Sequence, residues 1–192
     1  METLNMPLIG KQLPDLTLKA FFKEAFSSIS LKEARGKWLI LFFYPADFTF
    51  VCPTELVEMA QLYEQFKAEG AEVMSVSTDT EFVHKAWHDN SPAIKQINFP
   101  MLADPAGELS RVLGVYIPEE GLSLRGTFII DPEGKIKACE IHDNSIGRNA
   151  NELLRKLQAA KFVYEHNGEV CPASWKPGAS TLKPGIELVG KI

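Results

Sequence analysis

Three cysteines, Cys52, Cys139 and Cys171, carry the most reactive side chains of this 192-residue chain. An odd, low, widely spaced set does not form a disulfide framework. None is paired with another cysteine or a histidine at zinc-finger spacing, so no metal is expected. Cys52 stands out by its setting. It follows Pro45-Ala46-Asp47-Phe48-Thr49-Phe50-Val51 and precedes Pro53-Thr54-Glu55. That placement puts Cys52 at or near the first turn of a helix, where Pro53 is well suited because its missing N–H would have no helical partner. Free N–H groups and the positive end of the helix dipole favour an anion at that point. A thiolate is such an anion, and it is the nucleophilic form of cysteine. Thr49, three residues earlier, can place a hydroxyl beside the sulfur, to donate to it or to orient a substrate oxygen. The competing reading is a buried structural thiol, which the strand–loop–helix setting disfavours. Cys139, in Lys137-Ala138-Cys139-Glu140, is expected to pack on a strand.

Elements of a particular kind must hold such a thiol. Trp38–Tyr44 is an uninterrupted apolar run of strand length, the pattern of an interior strand buried on both faces. From Pro53 to Lys67 the pattern changes: Leu56, Met59, Ala60, Tyr63 and Phe66 recur at helical steps, and Glu69-Gly70 closes the helix. Ala71–Ser77 reads as the next strand, Thr80–Asn90 as a helix and Phe99–Leu102 as a short extended piece. Asp104–Gly107 then turns into a short helix ending at Leu113. Gly126–Ile130 and Lys135–Ile141 form a hairpin around Asp131–Gly134. Asn149–Tyr164 is a long helix with Asn149 or Asn151 near its cap. After Gly168 the chain becomes irregular, with Pro172, Pro177-Gly178 and Pro184-Gly185. The order predicts an α/β fold, a mixed central sheet flanked by helices on both faces, of the thioredoxin-like kind. The expected organisation is a domain over residues 1–168 and a C-terminal arm over 169–192.

Bulk properties narrow the function. Hydrophobic residues make up 45% and charged residues 23%, as in ordinary globular proteins. A net charge of −5 gives no general basic surface, so nucleic acid is not an expected partner. The longest apolar stretch is too short to span a membrane, and the first residues lack the pattern of a signal peptide. The cytoplasm is therefore the expected location. His84 and His88 are spaced i, i+4, as metal ligands can be. Without further ligands at recognisable spacing, a solvent-facing or interface role is expected for them.

The run Phe42–Glu55, F-F-Y-P-A-D-F-T-F-V-C-P-T-E, resembles the active-site signature of the typical two-cysteine peroxiredoxins, with Pro45, Thr49 and Cys52 matching its core. Gly168–Trp175, G-E-V-C-P-A-S-W, resembles the resolving-cysteine motif. Arg125–Asp131, Ser77–Thr80 with His84–Trp87, and Leu188–Ile192 match in order, the last as in the bacterial alkyl hydroperoxide reductase branch. The resemblance implies that Cys52 attacks a hydroperoxide and becomes a sulfenic acid, and that Cys171 resolves it as a disulfide between subunits. A flavoprotein disulfide reductase or thioredoxin then restores both thiols. It further implies no cofactor and a homodimer that assembles into a decameric ring. Arg125 would stabilise the thiolate and the charge on the peroxide oxygens, and Pro45 would shield the sulfur. Glu55 and Arg148 would buttress the arginine, their alternative being a surface ion pair of little consequence. Trp87 and Trp175 are expected to pack, and Phe48 with Thr80–Lys85 matches the ring-forming region. The stretch from Trp87 to Phe99 lacks a Gly-Gly-Leu-Gly insertion and the chain stops at Ile192. An easily unfolded active-site helix and resistance to overoxidation follow as expectations.

Two other functions use similar residues. A thioredoxin-type oxidoreductase would need Cys-x-x-Cys, but Glu55 stands three residues after Cys52. A peroxide sensor or oligomeric chaperone would use the same Cys52.

Overall fold

The computed structural model describes residues 7–192. Its chain forms two compact units, one ending at Ala150 and the other Asn151–Ile192. The first is built on a seven-stranded sheet in the order β2-β1-β5-β4-β3-β8-β9. These strands are β1 (Thr17–Phe22), β2 (Ala25–Ser30), β3 (Trp38–Phe43), β4 (Ala71–Ser77), β5 (Met101–Ala103), β8 (Arg125–Ile130) and β9 (Ile136–His142). A separate two-stranded ribbon pairs β6 (Tyr116–Ile117) with β7 (Leu122–Ser123). Strands β3, β4 and β5 run parallel, whereas β1, β2, β8 and β9 join antiparallel.

Every residue of β3 is buried, as its continuous apolar run predicts. Leu39, Leu41 and Phe43 point into a core completed by Phe128, Ile130, Val76 and Leu102. Strand β3 ends at the loop before Cys52. Helix α1 spans Cys52–Ala68 and buries Leu56, Met59, Tyr63 and Phe66. Thr80 caps α2 (Glu81–Asn90) by accepting from the Val83 N–H. Glu108–Val112 forms α3.

Hydropathy did not point to β1 and β2. Their turn is Lys23-Glu24, both at positive φ, 49° and 60°, where glycine or asparagine would ordinarily signal a turn. Strand β2 is largely exposed and shows no apolar alternation. Strand β8 needs glycine at position 126, because an added Cβ would lie 2.6 Å from Val115 Cγ1.

In the second unit, α4 (which begins at Ala150 and ends at Glu165) is followed by an irregular segment. Trp175 is buried there, its ring 5.0 Å from Phe162 and its Nε1–H donating to the Ala179 carbonyl at 3.1 Å. A single bridge pairs Val170 with Leu182.

Candidate active site

Cys52 is the first residue of α1 and its side chain is fully buried. No side chain caps the helix, and Pro53 removes one N–H from its first turn. Arg125, the first residue of β8, reaches Cys52 from the neighbouring strand. Its Nη1 donates to Cys52 Sγ at 3.4 Å and to Glu55 Oε2 at 2.7 Å. Its Nε and Nη2 both donate to the Asn144 carbonyl, at 3.0 and 2.8 Å, which fixes the plane of the guanidinium.

Glu55 and Arg148 do not form a surface ion pair; both are buried. Arg148 donates from its backbone N and from Nε to Glu55 Oε1, at 2.8 and 2.9 Å, and from Nη2 to Oε2 at 3.0 Å. Its Nη1 is held by the Gly126 carbonyl and Thr127 Oγ1, and its guanidinium lies 3.5 Å from the centre of the Phe42 ring. Burial alone would raise the Glu55 carboxyl, but the hydrogen bonds and charge of Arg148, with Arg125, hold it below the usual value. One carboxylate thus locks two arginines, and the first of them touches the sulfur.

Of the two roles expected of Thr49, donation to the sulfur is not made. The Thr49 hydroxyl donates to the Ala46 carbonyl at 2.8 Å instead. Its proton is committed, and its lone pairs remain to accept from a ligand O–H. Pro45, Thr49, Cys52, Leu122, Arg125 and Asn144 line one pocket of about 270 Å³. In the second unit, Cys171 is partly buried with Sγ 3.8 Å from the Ala159 carbonyl. Burial raises its thiol above the ordinary value, with Arg155 opposing.

Several residues behave otherwise than the sequence suggested. Cys139 does not pack: it lies on the exposed side of β9. His84 and His88 are buried rather than solvent-facing. His84 Nδ1 meets Asp47 Oδ2 at 2.8 Å and Nε2 meets the Leu102 carbonyl at 3.1 Å. The Tyr44 hydroxyl donates to Asp47 Oδ1 at 2.7 Å, and the Asp47 N–H donates to Asp79 Oδ2 at 2.8 Å. This buried network anchors the loop before Cys52, and sequence reasoning missed it. Asp47 directly after a buried strand, with a histidine on the same helix face as Trp87, was the available signal. The two His84 ring nitrogens thus bridge the Asp47 carboxylate and the Leu102 carbonyl, tying the loop to β5. Burial raises the Asp47 carboxyl, with His84 opposing.

The chain is similar to known proteins over nearly its whole length. Residues 9–139 match the model of the AhpC/TSA family, and residues 159–187 match the C-terminal domain of 1-Cys peroxiredoxin. The chain is 50% identical over 187 residues to alkyl hydroperoxide reductase C of Pseudomonas aeruginosa, covering 97% of this chain and 100% of the relative. It is 49% identical over 189 residues to the protein of the same name from Staphylococcus aureus, with 97% and 100% covered. Among solved structures, Enterococcus faecalis AhpC is 50% identical with a TM-score of 0.85, covering 87% of this chain and 100% of that one. The reduced 2-Cys peroxiredoxin of Plasmodium vivax is 30% identical with a TM-score of 0.90, covering 95% and 96%.

Proposed function

The chain belongs to the AhpC/TSA family of peroxiredoxins and is a thiol peroxidase, and from that premise we propose the roles of its residues. Cys52 is the peroxidatic thiol. Its thiolate attacks one oxygen of the hydroperoxide, the O–O bond breaks, and the second oxygen leaves as water or an alcohol after taking up a proton. Cys52 becomes a sulfenic acid. The contact of Arg125 Nη1 with Cys52 Sγ carries this reading, because it sets a fixed positive group beside both the nucleophile and the pocket where the peroxide must enter. The same guanidinium faces the negative charge that develops as the O–O bond lengthens. Thr49 accepts the peroxide O–H and aims the oxygen at the sulfur, Pro45 closes the pocket over it, and Glu55 with Arg148 holds Arg125 in place.

Cys171 is the resolving thiol. It condenses with the sulfenic acid of a partner subunit, releasing water and forming the Cys52–Cys171 disulfide. Because Cys52 is fully buried in the first turn of α1, that turn must unwind before two sulfurs can come within bonding distance, about 2.0 Å. Residues 1–168 then act as the peroxidase domain and 169–192 as the arm that delivers Cys171. Members of the family take electrons from a reductase and assemble into oligomers. For this chain the electron donor is a flavoprotein disulfide reductase, with thioredoxin second, and the assembly is a decameric ring of dimers. The substrates are hydrogen peroxide and small organic hydroperoxides, for which the apolar Leu122 wall leaves room. No helix among the described residues is long and apolar enough to cross a membrane; the proposed location is the cytoplasm.

Stopped-flow oxidation of the wild type, Cys52→Ser and Cys171→Ser tests the assignment. Cys52→Ser should lose the rapid reaction with peroxide. Cys171→Ser should form one sulfenic acid and then fail to turn over with reductase. Rapid peroxide reduction by Cys52→Ser would overturn the reading.

A further inference from the structure

Glu24, His88 and Asp89 form the one group of three histidine, cysteine or acidic side chains close enough to share a metal ion among the described residues, their ligand atoms all within 4.8 Å of one another. Glu24 belongs to the β1–β2 turn, and His88 and Asp89 to the last turn of α2. Two exposed carboxylates beside each other would carry no meaning alone. The second observation is His88. The residue is 8% exposed, and its buried Nδ1 has no hydrogen-bond partner among the described residues. That nitrogen lies within ion-pair reach of the carboxylates, 3.5 Å from Glu24 Oε1 and 3.7 Å from Asp89 Oδ1, but has no hydrogen bond to either. A buried ring nitrogen without a hydrogen bond is costly, and a cation shared with the two carboxylates would satisfy it.

We infer that Glu24, His88 and Asp89 bind a divalent transition-metal cation of the zinc class, clamping the β1–β2 turn to the end of α2. The spacing fits. Ligand atoms each about 2.1 Å from a tetrahedral ion lie about 3.4 Å apart, close to the two nitrogen–oxygen separations here. One imidazole and two carboxylates are a donor set that such ions accept, with water filling the remaining position. The surroundings hold the donors in place. Lys85 Nζ holds Asp89 Oδ2 at 2.5 Å, which leaves Oδ1 facing His88. The Phe21 ring meets the His88 ring edge-on at 5.1 Å and fixes its plane. Outer contacts of this kind orient metal ligands. The i, i+4 pair His84 and His88 does not share this ion, because both nitrogens of His84 are engaged elsewhere.

The experiment is calorimetric titration of the full chain with Zn²⁺, using a background in which all three cysteines are serine so that thiolates do not compete. Binding of one equivalent is expected. Affinity should fall roughly tenfold or more in Glu24→Gln, Asp89→Asn and His88→Gln. The first two replace exposed side chains and keep the test valid if the buried histidine variant fails to fold. Zn²⁺ should also raise the melting temperature of the background protein and not that of Glu24→Gln. No saturable binding, or binding of equal strength in Glu24→Gln and Asp89→Asn, would overturn the site.

Discussion

Glu55 is the residue on which the site depends without its touching the sulfur. It bonds both Arg125 and Arg148, each at most 8% exposed. Glu55→Gln keeps the shape and removes the negative charge that both guanidiniums share. Breaking a buried ion pair from one side costs about 3–5 kcal/mol, so the variant should show a clearly lower urea midpoint. Its reaction with peroxide should slow as Arg125 loses its anchor. Acid should reveal the same interaction. Glu55 in the folded protein lies below its usual value of 4.5. Its stabilising contribution is therefore complete above that value and is lost as pH falls through the folded one. Stability followed by urea unfolding between about pH 6 and pH 3 should decline in the wild type and decline less steeply in Glu55→Gln; equal slopes would contradict the assignment. At this scale Cys52 was legible from its place at a helix start, whereas Arg125, Glu55 and Arg148 were named through a family pattern. The sequence could not say that Glu55 and Arg148 are buried, nor that the Thr49 hydroxyl is spent on Ala46, because depth and hydroxyl direction are set by tertiary packing. The contact of Asp47 with His84 escaped notice for a related reason: they meet across 37 residues, and no local periodicity records such a meeting.

Two elements meet at the thiol, and each has a weak point that can be tested. The first turn of α1 lacks a side-chain cap. It is held at Val51 by the Thr54 N–H and hydroxyl, at 3.0 and 2.6 Å, and by the Glu55 N–H at 3.3 Å. Thr54→Val removes the exposed hydroxyl bond, worth about 0.5 kcal/mol, and should raise the rate of disulfide formation about twofold. Mass spectrometry after graded peroxide turnover should then find less Cys52 sulfinic acid than in the wild type, since the sulfenic acid is trapped sooner. An increase would count against unwinding as the slow step. In β8 the tight spot is Gly126. Gly126→Ala forces the strand away from Val115 one residue from Arg125. Overpacking of this kind costs about 1–3 kcal/mol; a lower melting temperature and slower peroxide reduction are the expected readouts. The interior strands and long helices were legible because burial writes period and length into their sequences. Strands β1 and β2 were not, since β2 has little apolar alternation and its turn uses Lys23-Glu24. The two-residue strands β6 and β7 are too short to carry a pattern.

The whole molecule presents two surfaces of different character. At one sheet edge, β9 has no further strand on its outer side among the described residues, and Ile141 is 41% exposed there. An open edge is a ready surface for strand pairing with another chain. Elsewhere Phe26 and Phe82 meet edge-on at 5.0 Å while both remain exposed, and Phe48 leans on Trp87 at 6.0 Å with more than half its surface open. A cluster of exposed aromatic rings marks a contact surface. Two independent self-complementary patches on one chain are what a closed ring of dimers requires, one patch making the dimer and the other joining dimers. Phe48 follows Asp47, whose buried pairing with His84 fixes this loop against α2, so in the proposed ring, assembly and the active-site loop share a support. Phe82→Arg places a charge in the aromatic patch and leaves β9 untouched. Sedimentation velocity should then report a particle of two chains of 21.4 kDa, where the proposed ring requires ten for the wild type. An unchanged mass would move the ring contact away from Phe82, and a monomer would show that the aromatic patch, not β9, makes the dimer.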